Sequence, residues 1–436
     1  MVRRLDFLMQ GWDESKVDNF VVSATRERGD EQDVRDVVTN ILADVRKRGG
    51  EAVANYTHKF DRFDINPETL TSDQLDLEAI AANCPDNVKA AIDFAHDRIA
   101  RYHAAQQPSD HVFEDGHGMT LGWKWTPLDS VGVYVPGGRA NYPSSVLMNT
   151  VPAKVAGVER IVMVAPTPDG QLSPAVAYAA LKAGVSEYYP IGGAQAVAAL
   201  AFGAGTLRPV DKIVGPGNAF VAEAKRQVFG RVGIDTIAGP SEVCIITDGS
   251  VSSDWIIADL MAQAEHDPSA QSILISTDAD FLSEIEARLS NGAAANNPIA
   301  QQSLNDYGYV FHVPDLETAC RLSNKIAPEH LELAIEVPEA AMPFIKHAGA
   351  VFLGSWTPEA LGDYVTGSNH VLPTSGAARF ASGLGLFDFM KRVSVQQASP
   401  AGFAHLAEAA MALAEAEHLP AHRQSVSIRT GKETSG

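Results

Sequence analysis

Residues 211–229 read DKIVGPGNAFVAEAKRQVF, and the three parts of this stretch decide the fold. DKIV is a short β-branched run of the kind that fills a buried strand, GPGN is turn chemistry, and AFVAEAKRQVF carries apolar residues at helical spacing. A strand that passes through a glycine turn into a helix is half of a βαβ unit. Upstream, the runs VGVYV (131–135), IVMVA (161–165) and EYYPI (187–191) are each followed by helical, often Ala-rich sequence. A second series begins at Glu242: EVCII, a helix over 253–266, SILIS (272–276), a helix near 280–289, YVFHV (309–313), a helix near 316–326, ELAIE (332–336) and AVFLG (350–354). Strands alternating with helices predict a parallel sheet, and two such series predict an α/β fold of two doubly wound Rossmann-like lobes. The lobe of residues 126–239 is inserted into a first lobe made of 31–125 and 240–380. Residues 1–30 read as an N-terminal helical arm and 381–436 as a C-terminal one. The first 125 residues read as mostly helical: Val88, Ile92, Ala95, Ile99 and Tyr102 form one stripe behind Asp86, a candidate N-cap. Phe403, Leu406, Ala410 and Leu413 form another stripe, open to docking on the chain's own core or on a second subunit. The polar tail TGKETSG reads as frayed.

A chain of 436 residues with 45% hydrophobic and 20% charged residues is globular and long enough for two or three domains. Its formal net charge of -20 disfavours nucleic acid and anionic membranes as partners and points to small molecules. Cys84, Cys244 and Cys320 lie far apart, with no disulfide framework and no CxxC pair. The N-terminus lacks the apolar core of a signal peptide, which fits a cytoplasmic protein. Residues 188–207 carry no formal charge, but Pro190 and several glycines interrupt them, so they read as a buried strand and helix rather than a membrane span.

The motifs that could carry chemistry each have a bland reading beside the functional one. GPGN places backbone N–H groups at a helix start, where an anion could bind, yet Phe220 occupies the third glycine position of the dinucleotide fingerprint. Gly137-Gly138 and Gly192-Gly193 repeat the strand-glycine-helix pattern; each could be only a tight turn, but three in one lobe favour a nucleotide cleft. Gln263 and His266 in MAQAEHDP share a helix face, although a histidine there could simply complement the helix dipole. Asp363 and His370 lie in the Gly-rich segment EALGDYVTGSNHVLP, where aspartate commonly forms turns. In IAPEHLEL, Glu329 and His330 stand at a helix exit: an imidazole able to take a proton at neutral pH beside an acid able to activate water. A strand start is normally the edge of a sheet opposite its ligand crevice, which sits awkwardly with that reading.

Taken in order, VGVYVPGG, GGAQAVAALAFG, KIVGPGNAFVAEAKRQV, AGPSEV, QAEHD, PEHLEL, GDYVTGSNHVLPT and AEHLPAH resemble the histidinol dehydrogenase family over nearly the whole chain from about residue 30. The resemblance implies a fold like the aldehyde dehydrogenases and NAD-linked, zinc-dependent oxidation of L-histidinol to L-histidine through bound L-histidinaldehyde. It implies one Zn2+ per subunit on Gln263, His266, Asp363 and His422, with Glu329 and His330 as the acid-base pair. Ser241, His370 and Glu417 join these as substrate contacts, and Tyr134, Gln195 and Asn218 are the implied NAD contacts. It also implies a homodimer in which the C-terminal segment, with Glu417 and His422, serves the partner's site. His418 offers a second imidazole four residues before His422. The rivals are a sister enzyme oxidising another polar diol such as a sulfopropanediol, a zinc hydrolase using Glu329, and an idle nucleotide-binding scaffold. The PEHL segment and the GSWTPEALGDY context favour histidinol over the diol. The hydrolase leaves the glycine turns unexplained, and the filled site positions speak against a scaffold.

Overall fold

The computed structural model describes residues 2–6, 14–26, 31–137, 142–237, 239–293 and 297–431. Gly138 of the first glycine turn, parts of the N-terminal arm and the tail from residue 432 lie outside the described residues. In chain order the strands are β1 (Arg3–Asp6), β2 (His111–Glu114), β3 (Met119–Pro127), β4 (Ser130–Tyr134), β5 (Arg160–Val164), β6 (Glu187–Tyr189) and β7 (Lys212–Val214). They continue as β8 (Gly233–Ile234), β9 (Glu242–Thr247), β10 (Gln271–Ser276), β11 (Tyr309–His312), β12 (His330–Ala334), β13 (Ala350–Leu353) and β14 (Met390–Ala398).

Two compact units form: Met1–Gln106 with Leu128–Phe389, and Gln107–Pro127 with Met390–Gly436. The first holds two parallel sheets, ordered β1-β11-β10-β9-β12-β13 and β6-β5-β4-β7-β8. Each is doubly wound, and the strand order reverses between β9 and β12 in one sheet and between β4 and β7 in the other. Burial on both faces explains why EVCIIT and QSILIS are almost continuously apolar. Alternate residues serve alternate layers. Val243, Ile245, Leu274 and Val310 pack with Ile256, Ile257 and Leu260 of helix Ser253–Ala264. Cys244, Ile246, Ile273, Phe311, Leu331 and Leu333 pack with Ala319, Cys320 and Leu322 of helix Leu316–Ile326. Because Leu331 and Leu333 take the second layer, the strand period of two turns His330, Glu332 and Ala334 toward the first. Each fully buried leucine or isoleucine contributes roughly 1.5–3 kcal/mol.

Several elements differ from the sequence reading. Residues 3–6, expected in a helical arm, form an edge strand in parallel register with Tyr309–His312, and Glu14–Arg26 is helical as expected. Residues 107–127, expected to be helical or to belong to the first lobe, and 390–398, expected to be helical, instead make an antiparallel sheet, β14-β3-β2, in the second unit. Alternation in MTLGWKWTP is the period that favours strand there. Helices Glu31–Arg48 and Gly50–Asp61 pack through Val38, Ile41, Leu42 and Val53 on residues of the inserted lobe, including Val162, Ala196 and Leu200, rather than with the six-stranded sheet. Helix Asp86–Ala104 is capped at Pro85, and its buried stripe ends on His103 while Tyr102 is exposed. Helix Pro400–Ala416 buries Ala407 and Ala414 but leaves Leu406 and Leu413 exposed on this chain. The uncharged 188–207 segment is β6 followed by helix Gly193–Phe202, and among the described residues no helix is long and apolar enough to cross a membrane.

Candidate active site

Helix Leu316–Ile326 stops because Ala327 turns left-handed, at φ 55°, and Pro328 has no N–H with which to continue. The chain re-enters the sheet at once, so Glu329 and His330 stand at the N-terminal edge of β12. The helix-exit assignment is therefore right, and the pair stands at the sheet edge opposite the one where ligands of such folds usually bind. Neighbouring β9 also begins here, and Glu242 holds both groups: its N–H donates to Glu329 Oε2 at 2.9 Å, and its carbonyl accepts from His330 Nδ1 at 3.0 Å. With the ring proton fixed on Nδ1 by that carbonyl, Nε2 carries the free lone pair. Nε2 is buried, has no hydrogen-bond partner and lies 3.8 Å from Asp363 Oδ1.

Burial dominates the electrostatics of this corner. It lowers His330 to about 3, assisted by the nearby His266 and His370 and opposed by the hydrogen bond to Glu242. It lowers His370 to about 4, and His370 Nδ1 donates to the Asp363 carbonyl at 3.0 Å. His266, exposed on one side, is enclosed enough by the fold to be lowered as well. The acids move the other way: Asp363 rises to about 7, and Glu329 and Glu359 rise well above the usual carboxylate range. Burial out of water favours the neutral form of each group, which lowers the imidazoles and raises the carboxyl groups.

Buried donor atoms without hydrogen-bond partners are the test of fit for a cation. Gln263 is fully buried on helix Ser253–Ala264 with neither amide oxygen nor nitrogen hydrogen-bonded. His266 follows one turn later, and Asp363 sits on helix Glu359–Tyr364. Amide oxygen, imidazole nitrogen and carboxylate suit a divalent ion, zinc included. His330, Glu359 and Asp363 each offer a ligand atom within 4.8 Å of the others. Glu359 was missed in the sequence, although its place four residues before Asp363 puts both on one helical face. Its Oε2 is buried without a hydrogen-bond partner, 3.9 Å from His330 Nδ1. Ser241 immediately precedes β9, and its carbonyl accepts from Gln271 N–H at 3.0 Å.

In the five-stranded sheet the expected cofactor residues collect at C-terminal strand ends around the switch between β4 and β7. Tyr134 ends β4, and its hydroxyl accepts from Gly193 N–H at 3.0 Å; burial raises it to about 12. Gln195 is buried on the helix that Gly193 opens. Asn218 caps helix Ala219–Val228, its Oδ1 accepting from Val221 N–H at 3.2 Å. Asn369 Nδ2, beside His370, donates to the carbonyl of Met148 at 2.6 Å and so ties the loop of His370 to the helix that follows β4. Glu417 and His422 belong to the second unit, Glu417 as the C-cap of helix Pro400–Ala416 and His422 on helix Pro420–Ser427, and both are exposed. The structure thus gathers His266, Glu329, His330, Asp363 and His370 at one corner.

A model of the histidinol dehydrogenase family matches residues 24–430. The chain is 53% identical over 404 residues to the histidinol dehydrogenase of Caulobacter vibrioides, covering 92% of this chain and 94% of that one. It is 52% identical over 422 residues to that of Cereibacter sphaeroides, covering 96% and 97%. The crystal structure of histidinol dehydrogenase from Elizabethkingia anophelis superposes with a TM-score of 0.90 at 34% identity, over 99% of this chain and 98% of that one.

Proposed function

The chain belongs to the histidinol dehydrogenase family, an oxidoreductase of histidine biosynthesis, and from that premise we propose that it converts L-histidinol to L-histidine by two NAD-linked oxidations through a bound L-histidinaldehyde. The observation that carries this reading is the pairing of Glu329 and His330 on Glu242, with an unpartnered imidazole nitrogen beside other buried donor atoms that lack hydrogen-bond partners.

His330 Nε2 accepts the hydroxyl proton as hydride leaves the adjacent carbon. The Glu242 carbonyl holds the ring proton on Nδ1, which leaves the Nε2 lone pair available. Glu329, raised by burial, is a stronger proton acceptor when ionised than an exposed carboxylate and draws a proton from the water that hydrates the aldehyde. His330 then takes the proton lost in the second oxidation. Gln263, His266, Asp363 and, from a C-terminal segment, His422 would hold one zinc ion per subunit, whose charge anchors the imidazole and amine of the substrate and fixes its orientation. Tyr134, Gln195 and Asn218 would seat NAD, which accepts the hydride. Ser241, His370 and Glu417 would complete the substrate contacts. We assign the protein to the cytoplasm as a homodimer in which Glu417 and His422 serve the partner's site.

The test is a count. Purified zinc-loaded protein is given limiting L-histidinol and excess NAD, and reduced cofactor is measured per substrate consumed. Two supports the proposal; one or none refutes it.

A further inference from the structure

Lys225 and Asp235 are the most deeply buried ion pair among the described residues, with side chains 2% and 3% exposed, and the chemistry above leaves them without a task. Both bind one residue. Gly215 opens the turn between β7 and helix Ala219–Val228; its N–H donates to Asp235 Oδ2 at 2.8 Å, and its carbonyl accepts from Lys225 Nζ at 3.0 Å. Asp235 reaches it from the end of β8, where its own N–H donates to the Ile213 carbonyl and prolongs the ladder with β7. Lys225 reaches it from the second turn of the helix that the loop leads into.

From this geometry we propose that Lys225 and Asp235 are positioning residues that preform the cofactor turn. The proposal rests on the reading of residues 215–218 as part of the NAD site. Leaving the sheet, Gly215 turns its backbone out of the ladder, so its two polar groups need other partners or stay unsatisfied in the interior. Charge-assisted bonds on both sides fix the peptide planes either side of Gly215, and with them the direction in which Gly217 and Asn218 present their N–H groups. The pair is neutral as a whole, so it adds little net field toward a pyrophosphate. Its contribution is the ordering that a free loop would otherwise undergo on binding. Nor is Lys225 a phosphate ligand: its ammonium is buried and committed to Asp235 and the Gly215 carbonyl.

Lys225→Met alone strands a buried carboxylate and can unfold the lobe, so the decisive variant is the double replacement Lys225→Met with Asp235→Leu, which exchanges the pair for apolar side chains of comparable size. NAD and L-histidinol affinities are measured by calorimetry on the zinc-loaded dimer, and amide exchange is followed over residues 215–219 with and without NAD. The expected result is a folded protein with histidinol affinity retained, NAD affinity weakened about tenfold or more, and faster exchange at Gly217 and Asn218. Unchanged NAD affinity in a folded variant overturns the proposal, and so does an equal loss for both ligands, which marks general damage. If NAD gives the unsubstituted protein no protection over 215–219, the cofactor reading of the turn fails and the clamp with it. Protection there with unchanged affinity in the variant sinks the clamp alone.

Discussion

Replacing Gly215 by alanine tests how tightly β4 packs against the turn that follows β7. Gly215 has φ +114°, a conformation L side chains rarely adopt, and a Cβ there would lie 2.1 Å from the Tyr134 carbonyl oxygen, 3.0 Å from its carbon and 3.2 Å from its nitrogen. These are backbone atoms of a central strand and cannot swing aside. Backbone strain of about 1–3 kcal/mol and overpacking of about 1–3 kcal/mol together predict a loss of roughly 2–6 kcal/mol. With unfolding entropy of about 2.1 cal/mol/K per residue, a chain of this length should melt about 2–6 °C lower. Scanning calorimetry reads that shift. Gly230→Ala is the control, because Gly230 has φ +96° with nothing within 4 Å of the added carbon, so it carries strain without collision. Since relief of the clash must shift Gly215 and the turn it opens, NAD binding should weaken in Gly215→Ala while zinc content is unchanged. A Gly215→Ala protein that melts no lower than Gly230→Ala and binds NAD normally would show the collision to be false.

Four further outcomes are expected. In single-turnover mixing, Glu329→Gln should release one reduced cofactor per site and slow the second by about 10²–10⁴-fold, whereas His330→Ala should slow both; equal slowing of the two steps in the Glu329 variant would contradict the division of labour. Chelator-treated protein should lose stability as pH rises. Asp363 is raised from 3.8 to about 7 in the folded chain, and Glu329 and Glu359 are raised with it, so the stability linked to these acids is full below about pH 4 and is lost as pH rises through their folded values, roughly 4 kcal/mol for Asp363 alone. Against this stands the smaller opposite contribution of His330 and His370, which is complete above about pH 6.5. Melting curves at pH 5 and 8 with and without zinc check the sign, and a metal-free protein more stable at pH 8 refutes it. Gln263→Ala should lower zinc retention about 10–100-fold as followed by metal analysis after dialysis, and full retention would remove Gln263 from the ligand set. Coexpressed His330→Ala and His422→Ala chains, each inactive alone, should recover about a quarter of normal activity if sites are shared across a two-fold dimer; no recovery would argue that each chain completes its own site.

Helix and strand identity through most of the two parallel lobes was legible because it depends on local periodicity. VGVYV, IVMVA, EVCII and SILIS are apolar on both faces, and the intervening helices carry their stripes at three and four residue steps. The antiparallel strands of residues 111–127 and 390–398 were missed: MTLGWKWTP alternates, but neither segment has a long apolar run, and residues 390–398 find their partner strand some 270 residues away. Residues 3–6 likewise become a strand only because the edge of β11 is there to pair with them.

By itself the sequence determined which residues could carry chemistry, because side-chain type is a local property: an imidazole beside a carboxyl in PEHL, an amide and an imidazole one turn apart in QAEH, a capping asparagine after GPG. Only the tertiary structure decided what those groups are. Glu242 assigns the His330 tautomer from a neighbouring strand, Glu359 joins the site by facing it from a short helix, and burial drives acids and imidazoles in opposite directions. Proton affinity and hydrogen-bond direction depend on which distant atoms replace water, and that replacement exists only once the chain has folded.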